Sequence, residues 1–224
     1  MVRKIFLILF FLSQASSSNS ETLNSCNSHY SFLDINKLEN LSSISIEIKN
    51  SKKWIRNIFL LLRNNNWIPN EYKKTHRGNV KFFFNNNIEC NSLAKIKFHG
   101  DNPDHIKRID DFSILSSLNI ELIDSNIDSI TGFRLFLPHT RADNGNIEII
   151  TTNLFRELGF FAPRTKKILT KVNGVNHEYL FQEKISKEFI ESLGFIEGPI
   201  IEGDQRLQKA GYRNFQLARV VNKN

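Results

Sequence analysis

The clearest pattern in the chain is a two-residue alternation of apolar and polar side chains. Ile44, Ile46 and Ile48 alternate with polar neighbours across residues 42–49, which predicts a strand with one buried face. Similar apolar runs predict further strands at 80–84, 94–98, 118–123, 132–137, 167–172 and 178–182. Asn173-Gly174 joins the last two and is the favoured dipeptide of a tight hairpin. These strands predict a mostly antiparallel sheet.

One segment in the second half has a helical period instead. Ile147, Ile150, Leu154 and Leu158 recur at spacings of three or four, and Gly159 suits the left-handed position that ends a helix. Residues 146–158 are therefore the predicted main helix. Together with the strands, this helix predicts an α+β fold, a mostly antiparallel sheet with one main helix.

Two shorter segments have weaker signals. Residues 54–63 are apolar on most faces and fit either a short helix or a strand. A short helix is predicted from Ser186 to Leu193, because Ser186 suits the first capping position and Gly194 suits the end.

The first 18 residues have the layout of a secretory signal peptide. Arg3 and Lys4 precede the apolar run from Ile5 to Leu12, and small residues follow, so that cleavage is expected near Ser17 or Ser18. A buried N-terminal helix is the alternative. No later stretch approaches the roughly 20 apolar residues of a spanning helix, so the chain is predicted to be exported, periplasmic or secreted, without a stable membrane span after cleavage.

Composition and charge exclude some classes and identify no partner. The chain has 224 residues, 40% of them hydrophobic and 24% charged, which is ordinary for a globular protein and unlike collagenous or disordered chains. Its net charge of +7 suits many anionic partners. The short basic groups Lys73-Lys74, His76-Arg77 and Lys166-Lys167 are too dispersed for a nucleic-acid surface, so no nucleic acid is expected as a partner.

Cys26 and Cys90 are the only two cysteines. In an exported chain an even number of cysteines allows one disulfide, and the alternative is two unpaired buried thiols. Two cysteines with scattered histidines give no zinc-site spacing.

Several stretches together, in their order and spacing, resemble the CotH kinase family, the atypical kinases similar to spore coat protein H. The stretches are KFHGDNPDHI (97–106), GFRLFLPHTR (132–141), EIITTNLFRELGFFAPRT (148–165), VNGVNHEYLFQEKI (172–185) and EGPIIEGD (197–204). The resemblance implies a fold like the N-terminal lobe of a kinase, with ATP and Mg²⁺ as cofactors and a protein substrate in the cell envelope or outside the cell.

The resemblance also implies roles for individual residues. A cation on a strand would meet the phosphates of ATP, and a carboxylate on the helix would orient that cation. Lys97 or Arg134 would supply the cation, with Lys97 favoured because a polar glycine turn follows it, and Glu148 or Glu157 would supply the carboxylate.

Two further positions complete the implied nucleotide site. The loop at Gly100 would close over the phosphates with its backbone N–H groups, or else form a turn capped by Asp101. Glu183 would lie where the chain crosses between lobes and the backbone meets adenine, or else end an ordinary edge strand.

The catalytic lobe of that family has no counterpart in the remaining sequence. Asp204 is the only aspartate after Glu183, whereas phosphoryl transfer needs a base and carboxylates for Mg²⁺. The predicted organisation is a signal peptide (1–18), a β-rich extension (19–93), a kinase-like region (94–204) and an incomplete segment (205–224).

Three functions are consistent with this organisation. The first is the nucleotide-binding part of a kinase-like phosphotransferase, inactive alone. The second is an exported module that binds a nucleotide or a protein partner without turnover. The third is a remnant with an exposed apolar face, which would tend to associate.

Overall fold

The structure is a computed structural model of the chain. It describes residues 21–23, 26, 37–63, 68–85, 87–109, 113–196, 198–204 and 217–220. The predicted signal peptide, residues 1–18, lies outside the described residues, as does most of the segment 205–224.

The described residues form twelve strands and three α-helices. The strands are β1 (Glu21–Leu23), β2 (Leu41–Ile48), β3 (Thr75–Phe84), β4 (Ile88–Phe98), β5 (Ile106–Arg108), β6 (Ile114–Ser116), β7 (Leu118–Ile123), β8 (Gly132–Phe136), β9 (Thr165–Val172), β10 (Val175–Glu183), β11 (Ile201–Asp204) and β12 (Leu217–Val220). The helices are α1 (Ser51–Leu62), α2 (Asn146–Glu157) and α3 (Lys187–Ser192).

Seven of these strands close into a barrel. The order around it is β4, β3, β2, β9, β10, β8 and β7, and β7 pairs back onto β4. Neighbours are antiparallel except β2 and β9, which run parallel. The predicted boundary between the β-rich extension (19–93) and the kinase-like region (94–204) falls within β4. Strands from both regions therefore belong to the barrel.

This closure shows that the predicted fold class was wrong. The sequence indicated an open antiparallel sheet with one main helix, as in the N-terminal lobe of a kinase, whereas β7 pairs with β4 from Leu93 to Phe98 and closes the sheet. The physical reason is that β4 has eleven residues and bonds along both edges, to β3 and to β7. Alternation shows which side chains share a face, but it does not show which strands are neighbours.

Apolar side chains at alternate strand positions fill the barrel. Among those with at most 3% of their surface exposed are Ile44, Ile46, Val80, Phe82, Ile96, Phe98, Leu118, Ile120, Phe133, Leu135, Ile168, Tyr179 and Phe181. The rings of Phe133 and Phe181 stack with centroids 4.8 Å apart. The intervening side chains point outward, and two of them, Phe136 and Leu180, are buried on the outer side by Arg141 and by the chain at Gly145.

Helix α1 resolves the ambiguity at residues 54–63 in favour of a helix. Its Trp54, Ile58 and Leu61 are buried at helical spacing and belong to the same apolar cluster as the barrel interior.

The predicted hairpin and the predicted short helix are both present. Asn173 and Gly174 have φ values of 46° and 93°, as a tight turn between β9 and β10 requires. At α3, the Ser186 hydroxyl accepts a hydrogen bond from the Phe189 N–H at 3.4 Å, and Gly194 has a φ of 80°.

A disulfide joins Cys26 to Cys90, which lies on β4. The short strand β1 pairs in parallel with the same part of β4, and the backbone of Cys26 bonds to Asn91 and Asn126. The N-terminal part of the described chain is therefore attached to the strand at which the barrel closes.

Within the described ranges, none of the helices combines the length and the apolar character needed to cross a membrane.

The disulfide leads to a prediction about stability. Replacing both cysteines with serine is expected to lower the free energy of unfolding by about 2–4 kcal/mol, because the bond closes a loop across 64 sequence positions in the unfolded chain. For a chain of this size the melting temperature should fall by roughly 5–15 °C. The control is the wild type in reductant, which should have the same melting temperature as the serine variant. Equal melting temperatures of the oxidised and the reduced wild type would contradict the prediction.

Candidate functional site

Lys97 and Arg134 lie on the same side of the barrel wall. Lys97 is opposite Asn119 on β7, and Asn119 is opposite Arg134 on β8. All three point outward, because their strand neighbours fill the interior. Two strand spacings separate the two cations, roughly 10 Å between backbones. The structure therefore places both predicted phosphate-binding cations in one outer row.

The loop at Gly100 is a packed turn at the end of this row. Gly100 has a φ of 107°, and a Cβ there would lie 2.2 Å from the ring of His105. The His99 N–H donates to Ser117 O at 2.9 Å, the Asp101 carbonyl accepts from the Ile68 N–H, and the carboxylate of Asp101 pairs with Lys73. These contacts favour the turn interpretation over a phosphate cradle.

Glu148 forms an ion pair with a residue that the sequence did not single out. Its carboxylate lies 3.3 Å from the Arg141 guanidinium, which stacks 3.8 Å above the ring of Phe136. Glu148 therefore neutralises Arg141 at the start of α2.

His99 also contacts the ring of Phe136, in an edge-to-face arrangement. Its ring centroid is 4.9 Å from that of Phe136. Burial, followed by the charges of Arg134 and neighbouring cations, lowers the pKa of His99 to about 2. His99 is therefore a neutral imidazole at physiological pH.

Glu157 is remote from Glu148. It lies at the other end of α2, nine residues later and exposed, which corresponds to roughly 13 Å along the helix axis. The two alternatives for the predicted carboxylate therefore lie at opposite ends of α2.

Glu183 lies on the inner side of the wall and is 3% exposed. The adjacent Gln182 is opposite Arg134 and points outward, so the wall separates Glu183 from the predicted cations. Arg164 donates to both of its carboxylate oxygens, through Nε and Nη2, each at 2.9 Å. Its backbone N–H donates to the Arg164 carbonyl at 2.9 Å, so this N–H already has a partner.

Arg164 joins two carboxylates at this end of the barrel. It also donates through Nη1 to Asp128 at 2.6 Å, and Asp128 accepts a further bond from the Leu38 N–H. Burial alone lowers the pKa of Arg164, but the hydrogen bond to Glu183 and the charges of Glu183 and Asp128 outweigh it and raise the pKa. The cluster is a nearly buried, mutually satisfied ion-pair network.

The six predicted site residues are therefore distributed over five places. Lys97 and Arg134 share an outer row, and Gly100 forms a turn beyond it. Glu148 and Glu157 lie at opposite ends of α2, and Glu183 is inside the wall. Within the described residues no group of three His, Cys, Asp or Glu side chains could hold a metal ion, and binding of ATP and Mg²⁺ stays a prediction.

The exterior has a feature of another kind at α2. The apolar residues that predicted this helix lie on its exposed side, and none of the residues in the helix is buried. Ile150 is 66% exposed and Leu158 is 61% exposed. We define the α2 face as these exposed apolar residues and the two phenylalanines that follow: Ile147, Ile150, Leu154, Phe155, Leu158, Phe160 and Phe161.

A shallow apolar cavity of about 250 Å³ continues the α2 face toward α3. Phe161 meets Phe195 edge to face, with centroids 4.6 Å apart. The residues that line this cavity are Arg156, Gly159, Phe160, Phe161, Ala162, Leu193 and Phe195. Arg156 also lines a polar cavity of about 180 Å³ beside Arg164 and Glu183.

No protein-family model matches the chain, and a comparison with curated proteins finds no significant match. Membership of the CotH kinase family therefore stays a prediction.

The buried position of Glu183 predicts a large effect on stability. Glu183→Gln is expected to destabilise the fold by about 1–3 kcal/mol, because the buried bidentate pair with Arg164 loses its charge while Asp128 remains paired with Arg164. The matched control on the same strand is Glu178→Gln, whose exposed pair with Lys167 spans 4.0 Å and should contribute no more than about 1 kcal/mol. Equal effects of both variants in urea unfolding would contradict the ion-pair role.

The neutral state of His99 predicts loss of stability in acid. Its pKa is lowered from 6.5 to about 2 in the folded chain, so below about pH 6.5 the unfolded state binds a proton that the folded state does not. Stability should therefore fall by up to about 1.4 kcal/mol per pH unit as the pH drops from about 6 toward 3.

Two measurements check this expectation. The free energy of unfolding of His99→Gln should fall less steeply with decreasing pH than that of wild type over this range. The remaining slope comes from the other histidines. In NMR the His99 ring signals should not titrate near neutral pH; a midpoint near the ordinary value would contradict the neutral state.

Proposed function

We propose that this chain is an exported protein-binding module that uses the α2 face as its docking surface. The observation that supports the proposal is that an amphipathic helix lies on the barrel with its apolar side outward. An apolar side chain of this size has a surface of roughly 150–200 Å². With about half of it exposed on each of seven residues, the α2 face amounts to roughly 700 Å², above the 300–600 Å² of the largest patch on a typical monomer.

The barrel suits the role of a rigid scaffold for this surface. Each barrel strand is hydrogen-bonded to a neighbour along both of its edges. The chain just before α2 runs close to the wall, since a Cβ on Gly145 would lie 3.0 Å from Leu180. The disulfide and the predicted signal peptide support placement outside the cytoplasm.

The composition of α2 favours a protein over a lipid surface as the partner. Helices that lie in a membrane interface carry Lys and Arg along their polar side. The charged residues of α2 are Glu148, Arg156 and Glu157, which is a mixed and slightly acidic set. An uncharged apolar protein surface is the complementary partner.

Nucleotide binding by a kinase-like protein, the function that the family resemblance implies, stays a prediction. Nucleotide binding has less support than protein docking for two reasons. Glu183 is separated from Lys97 and Arg134 by the wall, and Glu148 is paired with Arg141.

Site-specific photo-crosslinking tests the proposed function. A photoreactive phenylalanine analogue at position 155, incorporated in the cells that make the chain, should give one discrete adduct with a protein identified by mass spectrometry. Leu154→Glu in the same chain should abolish the adduct, because a charge at this position would be desolvated in the contact.

The matched control carries the same analogue at Leu93, which is equally exposed but lies on β4, across the barrel from α2. An adduct that forms equally from both positions would contradict the docking role. A magnesium-dependent rise in melting temperature with ATP that Lys97→Ala abolishes would instead support nucleotide binding.

A further inference from the structure

The apolar stripe of α2 is symmetric about the middle of the helix. Ile147, Ile150, Leu154 and Leu158 lie within roughly 80° of one another around the axis. Residue 152 is midway between Ile150 and Leu154. When two such helices cross in opposite directions about a two-fold axis near this point, each Ile150 lies opposite the Leu154 of the other helix.

We propose that the partner of the α2 face is a second copy of this chain, with the two α2 helices antiparallel across a two-fold axis. This inference rests on the proposed function and specifies its partner. A two-fold interface uses the same patch on both subunits and so requires a self-complementary surface. The α2 stripe meets this requirement because apolar residues occupy both of its halves.

The charges around the stripe are compatible with this arrangement. The stripe itself contains no charged residue, and Glu148 at its edge is already paired with Arg141. In an antiparallel pair, Glu157 lies near the N-terminus of the helix of the second copy, where a negative charge is favourable. The net charge of +7 opposes association, but salt screens it beyond about 8 Å at physiological ionic strength.

The area of the α2 face agrees with that of a stable dimer. Its roughly 700 Å² per copy is close to the roughly 800 Å² per partner of a standard interface. Phe195 and Ile196, which are 53% and 95% exposed beside Phe161, extend the same surface. The rings of Phe155, Phe160 and Phe161 would supply large apolar contacts of the kind found at interface centres.

Sedimentation velocity of the purified, oxidised full chain tests the inference. Wild type is expected to dimerise at about 10–100 µM. Leu154→Glu alone and Ile150→Lys alone should each raise the dimer dissociation constant at least about 100-fold, because each buries an unpaired charge. Mixing the two variants should restore a heterodimer, because the two-fold places Glu at position 154 opposite Lys at position 150.

Controls and contrary outcomes separate this inference from the proposed function. Leu93→Glu should dimerise as wild type does, and matching thermal melts would show that all variants are folded. A monomeric wild type at about 100 µM, a dimer insensitive to Leu154→Glu, or no heterodimer in the mixture would each overturn the second copy as partner. If the photo-crosslink at position 155 then captures a different protein, the proposed function stands. If no protein adduct forms and the chain instead binds anionic vesicles in a way that Leu154→Glu abolishes, both the dimer inference and the proposed function are overturned.

Discussion

Because β4 hydrogen-bonds to β3 along one edge and to β7 along the other, the two ends of the sheet meet there and a closed wall results. The interior then has to be filled by side chains from all seven strands, and aromatic and branched residues at alternate positions do so. The disulfide and β1 attach the N-terminal part of the described chain to this strand as well. The closed barrel therefore depends on this pairing.

A closed wall also determines which polar groups can act together. Gln182 and Glu183 are neighbours in sequence, yet one points outward beside Arg134 and the other inward to Arg164. Charged residues that look like one site along the chain are therefore divided into an outer row and an internal ion-pair network. Outside the wall, the α2 face exposes seven apolar residues, and the docking proposal rests on them rather than on phosphate chemistry.

Local elements were predictable from the sequence, whereas contacts distant in sequence were not. The alternation of Ile44, Ile46 and Ile48, the turn at Asn173-Gly174 and the cap at Ser186 all depend on neighbouring residues. Barrel closure and the bond from Arg164 to Glu183 depend on strand order and register, which alternation leaves open. Arg164 does stand in the stretch 148–165 that carries the family resemblance, but its side-chain partner Glu183 lies at the end of another strand, β10. The spacing in α2 predicted an amphipathic helix correctly, yet periodicity cannot tell whether the apolar side meets the core or the surroundings.

The position of Cys26 has a consequence for how the chain responds to its compartment. Without the covalent bond, backbone hydrogen bonds would still join Cys26 and β1 to β4 and the Cys26 side chain would still pack in the core, whereas the barrel closes through strand pairing that needs no oxidation. The chain therefore combines a redox-independent body with an N-terminal attachment that an oxidising environment makes permanent. The redox state of the compartment would therefore decide whether β4 carries a covalent link to the N-terminal part of the described chain.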